Sequence, residues 1–274
     1  PCVVVDVHEV ILAWHLPAVL SEERQRDLEE AARLLQPMLV VGSPQKHRSG
    51  KTIGRDDPSQ FLSTEESKDF RGIVTLSPAW YQAGHEGPQF QPEISASLKP
   101  TNKRQEGRLC LRKIAETCAI INACMIVMHP ALYEAGFEVI RDLRSKPDFY
   151  PVIMEWVSIF NGIQVIVNRR TKPHVDGHTR SPWYDVVCSV GPYTAAIFGL
   201  RKLGVYLAYP PGTLIALCGS FLEHEVPDFD GERICYAFFM RDAIHELLGK
   251  KSPGWMYRTQ YINLHCSPPT TAPT

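Results

Sequence analysis

Apolar positions change rhythm along the chain. Up to about residue 150 they recur mainly at helical spacing, and beyond it they fall in short runs between turn residues. Val3 to Val7 and Val10 to Trp14 read as an opening strand and a short apolar segment. Ser21 then caps a helix whose first turn holds Glu22 and Glu23, where carboxylates meet the positive end of the helix dipole. Leu28, Ala31, Ala32 and Leu35 give it one apolar face, and Pro37 ends it. Residues 56–104 are rich in Pro, Ser and Gly, with a short strand at Ile73 to Leu76 and a packing corner at Pro78 to Tyr81. Residues 105–147 are the clearest helical region, through Leu109, Leu111, Ile114, Cys118, Ile121 and Met125. Pro130 breaks the run, and a second helix is expected over roughly 131–145. His129 then reads as a helix-end histidine.

From residue 152 the runs are strand-like: 163–168, 185–190, 196–199, 204–209, 212–219 and 233–240, with Pro210-Pro211-Gly212 as a tight turn. Several short strands preceded by helices predict an α+β fold whose core is a double-stranded β-helix, a jelly-roll of the cupin type. The expected division is a helical and loop region over 1–150, the β-helix core over 151–262 and a flexible tail over 263–274.

The chemistry concentrates in Lys172-Pro-His174-Val-Asp176-Gly-His178, with His224 and Arg233 further on. Residues two apart on a strand point to one side, so His174 and Asp176 can serve one metal. His224 would complete a two-histidine, one-carboxylate triad, the set that suits non-haem Fe(II) oxygenases because it leaves positions open. Arg233 is then the expected anchor for the distal carboxylate of 2-oxoglutarate, since a guanidinium binds carboxylate bidentately. The rival is zinc held by His174, Asp176 and His178, which gives Arg233 no task. Alternation over the last strand places Arg233, Cys235, Ala237, Phe239 and Arg241 on one face and Ile234, Tyr236, Phe238 and Met240 on the other. The second face is core. The first begins and ends in Arg and reads as a channel, with Phe239 placed to stack on a planar substrate and Arg241 to bond its edge.

Composition narrows the picture. Of 274 residues 44% are hydrophobic, and the net charge of −1 leaves nucleic-acid binding to local basic patches such as 44–55 and 99–113. Eight cysteines without a C-x-x-C pair read as buried free thiols of a reducing compartment. No apolar run is long enough for a membrane helix. Ser49-Gly50-Lys51-Thr52 looks like part of a phosphate-binding loop, but position 45, where the motif needs glycine, is Gln. A nucleotide triphosphatase is therefore rejected. The chain opens at Pro1 with no initiator Met and reads as a trimmed or partial chain, with no signal peptide expected.

His174-Val-Asp176-Gly-His178, Val186-Val-Cys188, Pro211-Gly-Thr-Leu214, His224 and the strand from Arg233 to Phe239 together resemble the TET/JBP family of Fe(II)- and 2-oxoglutarate-dependent nucleic-acid dioxygenases, particularly its compact fungal members. The resemblance is good over roughly 160–245 and loose before it. It implies that His174, Asp176 and His224 hold iron and that Arg233 binds 2-oxoglutarate, with Asn168 and Cys235 lining its pocket. Phe239 would stack on a flipped base, Arg241 would read it, and His178 and Thr179 would approach it. Thr179 and Arg241 depart from the amide and the histidine of animal relatives, and their Cys-rich zinc region is absent. The implied reaction oxidises a methyl group on a base rotated out of double-stranded methylated DNA, converting 5-methylcytosine to hydroxymethyl, formyl and carboxyl forms. N6-methyladenine demethylation, a 2-oxoglutarate-dependent hydroxylase of a non-DNA substrate, and a catalytically dead binding module are the alternatives. A nuclear monomer is expected.

Overall fold

A computed structural model describes residues 1–42, 57–81, 89–99, 105–177 and 179–266. Strands β1 (Cys2–Val5) and β2 (Ile11–Leu16) lead into helix α1 (Glu22–Leu34), a one-turn helix α2 (Thr64–Ser67) and strand β3 (Gly72–Leu76). Helices α3 (Glu106–Lys113), α4 (Ala115–Met128), α5 (Pro130–Arg144) and α6 (Tyr150–Ile153) follow. The strand-rich part holds β4 (Gly162–Val167), β5 (Thr171–His174), β6 (Asp185–Val190), β7 (Tyr193–Thr194), β8 (Ile197–Leu200) and β9 (Val205–Ala208). It continues with β10 (Thr213–Leu217), β11 (His224–Val226), β12 (Asp230–Gly231) and β13 (Ile234–Phe239), and α7 (Asp242–Leu247) and α8 (Arg258–His265) close the chain.

Two sheets form the double-stranded β-helix. The larger has seven strands in the order β1-β2-β10-β6-β13-β4-β3, and the smaller has four in the order β5-β11-β8-β9. All pairings are antiparallel. The period of two assigns each strand of the large sheet two jobs. Ile163, Val165 and Val167 of β4, Val186, Cys188 and Val190 of β6, and Ile234, Tyr236 and Phe238 of β13 pack under the helices in one continuous core. Leu28, Ala31, Ala32 and Leu35 bring α1 into it, as their spacing predicted, and Ser21 caps that helix by accepting from the Arg24 amide. A second, smaller core lies between the sheets, where Ile215 and Leu217 meet Phe198, Leu207, Tyr209 and Val226.

Three expectations need correction. The large sheet crosses the expected division at residue 150, because β1, β2 and β3, all from the first part, are three of its seven strands. The sequence marks them only as short local segments, since a strand's partners lie far away in sequence and leave no local trace. The helical stretch before Pro130 is two helices, broken at Ile114, and Pro130 begins α5 as well as ending the run. α8 continues to His265, so helix enters what was read as flexible tail, and residues 267–274 lie outside the described residues. His129 is the residue between α4 and α5, accepting from the Leu132 amide, as its position suggested. All eight cysteines are free thiols. No helix among the described residues is long and apolar enough to cross a membrane.

Candidate active site

The end of β5 and the start of β11 are paired, with His174 directly opposite His224. Their rings stand 4.2 Å apart, and Asp176 approaches both: its Oδ1 is 3.6 Å from His174 Nε2 and its Oδ2 3.5 Å from His224 Nε2. One potential ligand atom from each residue lies within 4.8 Å of the others. Each imidazole is oriented from behind. His174 Nδ1 is 2.9 Å from the Lys172 carbonyl and His224 Nδ1 2.9 Å from the Leu222 carbonyl. An Nδ1–H donated to those carbonyls leaves the Nε2 lone pairs facing Asp176, the tautomer a metal ligand needs. Phe198 stacks on His224 at 5.6 Å and 9°, which fixes that ring's plane. The Asp176 amide donates to Gly219 O at 2.8 Å. A Cβ at Gly219 would lie 2.7 Å from Asp176 Oδ2 and 2.5 Å from Asp185 Oδ2, so any larger residue there would push those carboxylates aside. The three donors and their supports fit a single divalent metal with open positions.

A cavity opens beside the triad and reaches Arg233. The guanidinium is buried among aromatic rings, 5.2 Å from Tyr209, 5.7 Å from Phe229 and 5.9 Å from Tyr193. Among the described residues, its Nε and the nearby Tyr209 hydroxyl have no hydrogen-bond partner and no carboxylate pairs with Arg233. A guanidinium keeps its proton in proteins, and a buried unpaired charge is costly. The orphaned donors fit the distal carboxylate of 2-oxoglutarate. Cys235 and Ala237 continue the same wall, and Arg169, 4% exposed, brings a second guanidinium to the cavity.

Asn168 is a correction: it is not part of that wall. Its Nδ2 donates to Phe70 O at 2.7 Å, and its Oδ1 accepts from the Arg233 amide at 2.8 Å. β4 ends at Val167, and the chain turns at Asn168 through a left-handed φ of 56°, so the alternation that would have aimed it at the cavity stops one residue short. Asn168 holds the backbone that carries Arg233.

A second cavity adjoins the first, and Gln164, Asp176, Val187 and Ala237 line both. The register explains this, because Gln164, Ala237 and Val187 form one row across β4, β13 and β6. Thr179, Asp185, Phe239 and Arg241 complete the second cavity. Thr179 Oγ1 is buried there with no hydrogen-bond partner among the described residues. Phe239 stands opposite Gly162 in the ladder, and its ring covers the position a Cβ would take. Arg241 follows β13, its amide held by Asn161 Oδ1 at 2.8 Å and its guanidinium 5.0 Å from the Phe239 ring centre. Arg180, just after Thr179, bonds Asp242 at 2.5 Å and Glu246 at 2.8 Å, tying the loop to α7. His178 lies outside the described residues.

Gln164, Asp185, Arg169 and Tyr209 were missed in the sequence. Gln164 is the one polar side chain within Gly162–Val167, and Asp185 heads an apolar strand, so both carried a signal. Tyr209 carried none. The basic patch at 44–55 lies outside the described residues, as does 100–104 of the other. In the rest of 99–113, Arg108 and Arg112 pair with Glu155, and Lys113 pairs with Asp27 and Glu30. Those cations hold helices together, which weakens their candidacy for DNA contact.

The paired sheets, the triad and the buried arginine define a 2-oxoglutarate-dependent non-haem iron oxygenase. The family model for the oxygenase domain of the 2OGFeDO superfamily, Tet_JBP, matches residues 77–242. The chain belongs to this TET/JBP family, whose superfamily uses Fe(II) and 2-oxoglutarate. Among solved structures it is similar to NgTET1 in complex with 5mC DNA, at a TM-score of 0.54 and 13% identity over 95% of this chain and 82% of that one. That likeness is one of fold. A viral collagen prolyl hydroxylase from Paramecium bursaria Chlorella virus-1 aligns at a TM-score of 0.35 and 11% identity, over 82% of this chain and 87% of that one. No curated protein matches the sequence.

Proposed function

We propose that this oxygenase oxidises the methyl group of a methylated base flipped out of double-stranded DNA, with 5-methylcytosine as substrate. The observation that carries the reading is the second cavity. It joins an aromatic face, a guanidinium, a hydroxyl and a carboxylate to a wall shared with the metal triad. That is the chemistry of a planar, polar-edged ring held with one substituent at the metal. The NgTET1 structure with 5mC DNA lends support as a member of similar fold.

Iron(II) with 2-oxoglutarate, when bound, supplies a decarboxylation coupled to oxidation of a C–H bond. The chain's residues do the rest. His174, Asp176 and His224 hold the metal, and Arg233 fixes the distal carboxylate of the co-substrate. Phe239 takes the base by stacking, Arg241 and Thr179 offer hydrogen bonds to its edge, and Val187 and Ala237 keep the space between dry. A base within the stack cannot reach this depth, so flipping is part of the reading. Repeated turnover would give hydroxymethyl-, formyl- and carboxylcytosine. The reading includes a monomer acting in the nucleus.

The test is nucleoside mass spectrometry after incubating methylated duplex DNA with protein, Fe(II), 2-oxoglutarate and ascorbate. Oxidised cytosines are expected. Loss of N6-methyladenine from a parallel duplex, with cytosine untouched, would replace the substrate. Consumption of 2-oxoglutarate with both duplexes unchanged would overturn the DNA reading.

A further inference from the structure

We infer that Asp185 decides which methyl-bearing base is accepted, by taking a hydrogen bond from an exocyclic amine and turning away a base with a carbonyl there. This rests on the proposed reading of the second cavity as a base site. The difficulty it addresses is chemical. Thymine carries a methyl on the same ring carbon as 5-methylcytosine and is abundant in every duplex. An iron site placed to oxidise one methyl has no means of refusing the other. Discrimination must come from the ring edge.

Asp185 is in position to read that edge. It heads β6, is 4% exposed and lines the second cavity with Thr179, Gln164 and Arg241. Its carboxylate crowds the same point as the iron ligand: a Cβ on Gly219 would lie 2.5 Å from Asp185 Oδ2 and 2.7 Å from Asp176 Oδ2. So Asp185 acts beside the metal, not out at the rim. In cytosine the amine is on the carbon next to the methylated one. A group that reads the amine while the methyl faces the metal must therefore stand next to a metal ligand. The Asp185 carboxyl presents acceptor oxygens to the cavity, and the Arg241 guanidinium only donates. Cytosine offers a donor at N4 and acceptors at N3 and O2, and thymine offers an acceptor at O4 in place of the amine. Thymine in this site would set a carbonyl against a buried carboxylate, and a site built to bond one group rejects its replacement strongly.

The experiment is a competition within one duplex, measuring hydroxymethylcytosine and hydroxymethyluracil together by nucleoside mass spectrometry. The wild-type protein should favour 5-methylcytosine over thymine by about a hundredfold or more. Asp185→Asn, whose amide can donate to O4, should lower that ratio by about tenfold or more. The ratio does not depend on how much protein is folded, so partial unfolding cannot imitate the effect, and Asp185→Ser replaces the variant if it fails to fold. An unchanged ratio in the variant, with both products falling together, would make Asp185 a structural group and overturn the inference alone. Equal oxidation of both bases by the wild-type protein would overturn it too. Oxidation of neither base would sink the proposed function, and the inference with it.

Discussion

The two faces of the large sheet are buried alike but treat charge in opposite ways. On the helix-covered face, burial drives ionisable groups to neutrality. It raises the Cys118 thiol to about 12 and pushes Cys110 and Tyr184 up as well. It lowers the imidazole of His129, set against Tyr184, and that of His245, set against Trp183, to about 4. On the cavity face, Arg233 keeps its charge at 3% exposure with no carboxylate beside it among the described residues. One face is arranged for packing, and the other holds an unanswered charge for a ligand to answer. Replacing cavity-face residues should cost function at little cost in stability, and disturbing the helix-covered face should do the reverse.

The largest expected effect is at the triad. His174→Ala or Asp176→Ala should lower turnover by about a thousandfold or more with the thermal midpoint of the apoprotein little changed. Retained 2-oxoglutarate decarboxylation in both would refute the ligand assignment. Arg233→Met should raise the dissociation constant for 2-oxoglutarate by about 30-fold or more, the effect of about 2 kcal/mol or above for losing one side of a buried charge pair. It should leave the apoprotein as stable or more so, because an unpaired buried charge is replaced by an apolar chain of similar size. Calorimetric titration and thermal denaturation read the two sides, and a marked fall in stability would contradict the comparison.

Gly162→Ala sharpens it further. The new methyl displaces the Phe239 ring without removing any substrate-contacting atom, so kcat/KM on DNA should fall by about tenfold, the scale of one base–aromatic stack. Affinity for 2-oxoglutarate should move much less, and equal losses would deny Phe239 its separate role.

The smallest effect belongs to the helix-covered face. His129 and His245 titrate near 4 when folded and near 6.5 when unfolded, so between those values the unfolded chain binds more protons. Stability should therefore be full above pH 6.5 and fall as the pH drops towards 4, by about 1 kcal/mol per histidine at pH 5.5. Urea unfolding at pH 7 and 5.5 measures the loss. His129→Gln and His245→Gln should each flatten the slope, and a slope unchanged in both would show that other groups set it.

Much of the site was legible because its residues announce themselves locally. His174 and Asp176 sit two apart at a strand end, and Arg233 heads a strand whose other face is continuous core. Ser21 and its two following glutamates marked α1 for the same reason. Asn168 misled because alternation was carried one residue past the last hydrogen-bonded strand position. Asp185 and Gln164 were passed over because a single polar residue in an apolar strand has no meaning until its neighbours across the ladder are known.

The amino-acid sequence by itself determined α1, the helical region between residues 105 and 147, the six apolar strands of the second half, the faces of β13 and the pair His174 and Asp176. Each of these follows from contacts within a few residues. Tertiary structure decided what depends on partners remote in the chain. It brought β1, β2 and β3 into the large sheet, set His174 opposite His224, packed Tyr209 against Arg233 and aligned Gln164, Ala237 and Val187 into a wall shared by two cavities. Antiparallel register fixes such neighbours through hydrogen bonds between distant segments, and no local pattern of residues encodes them.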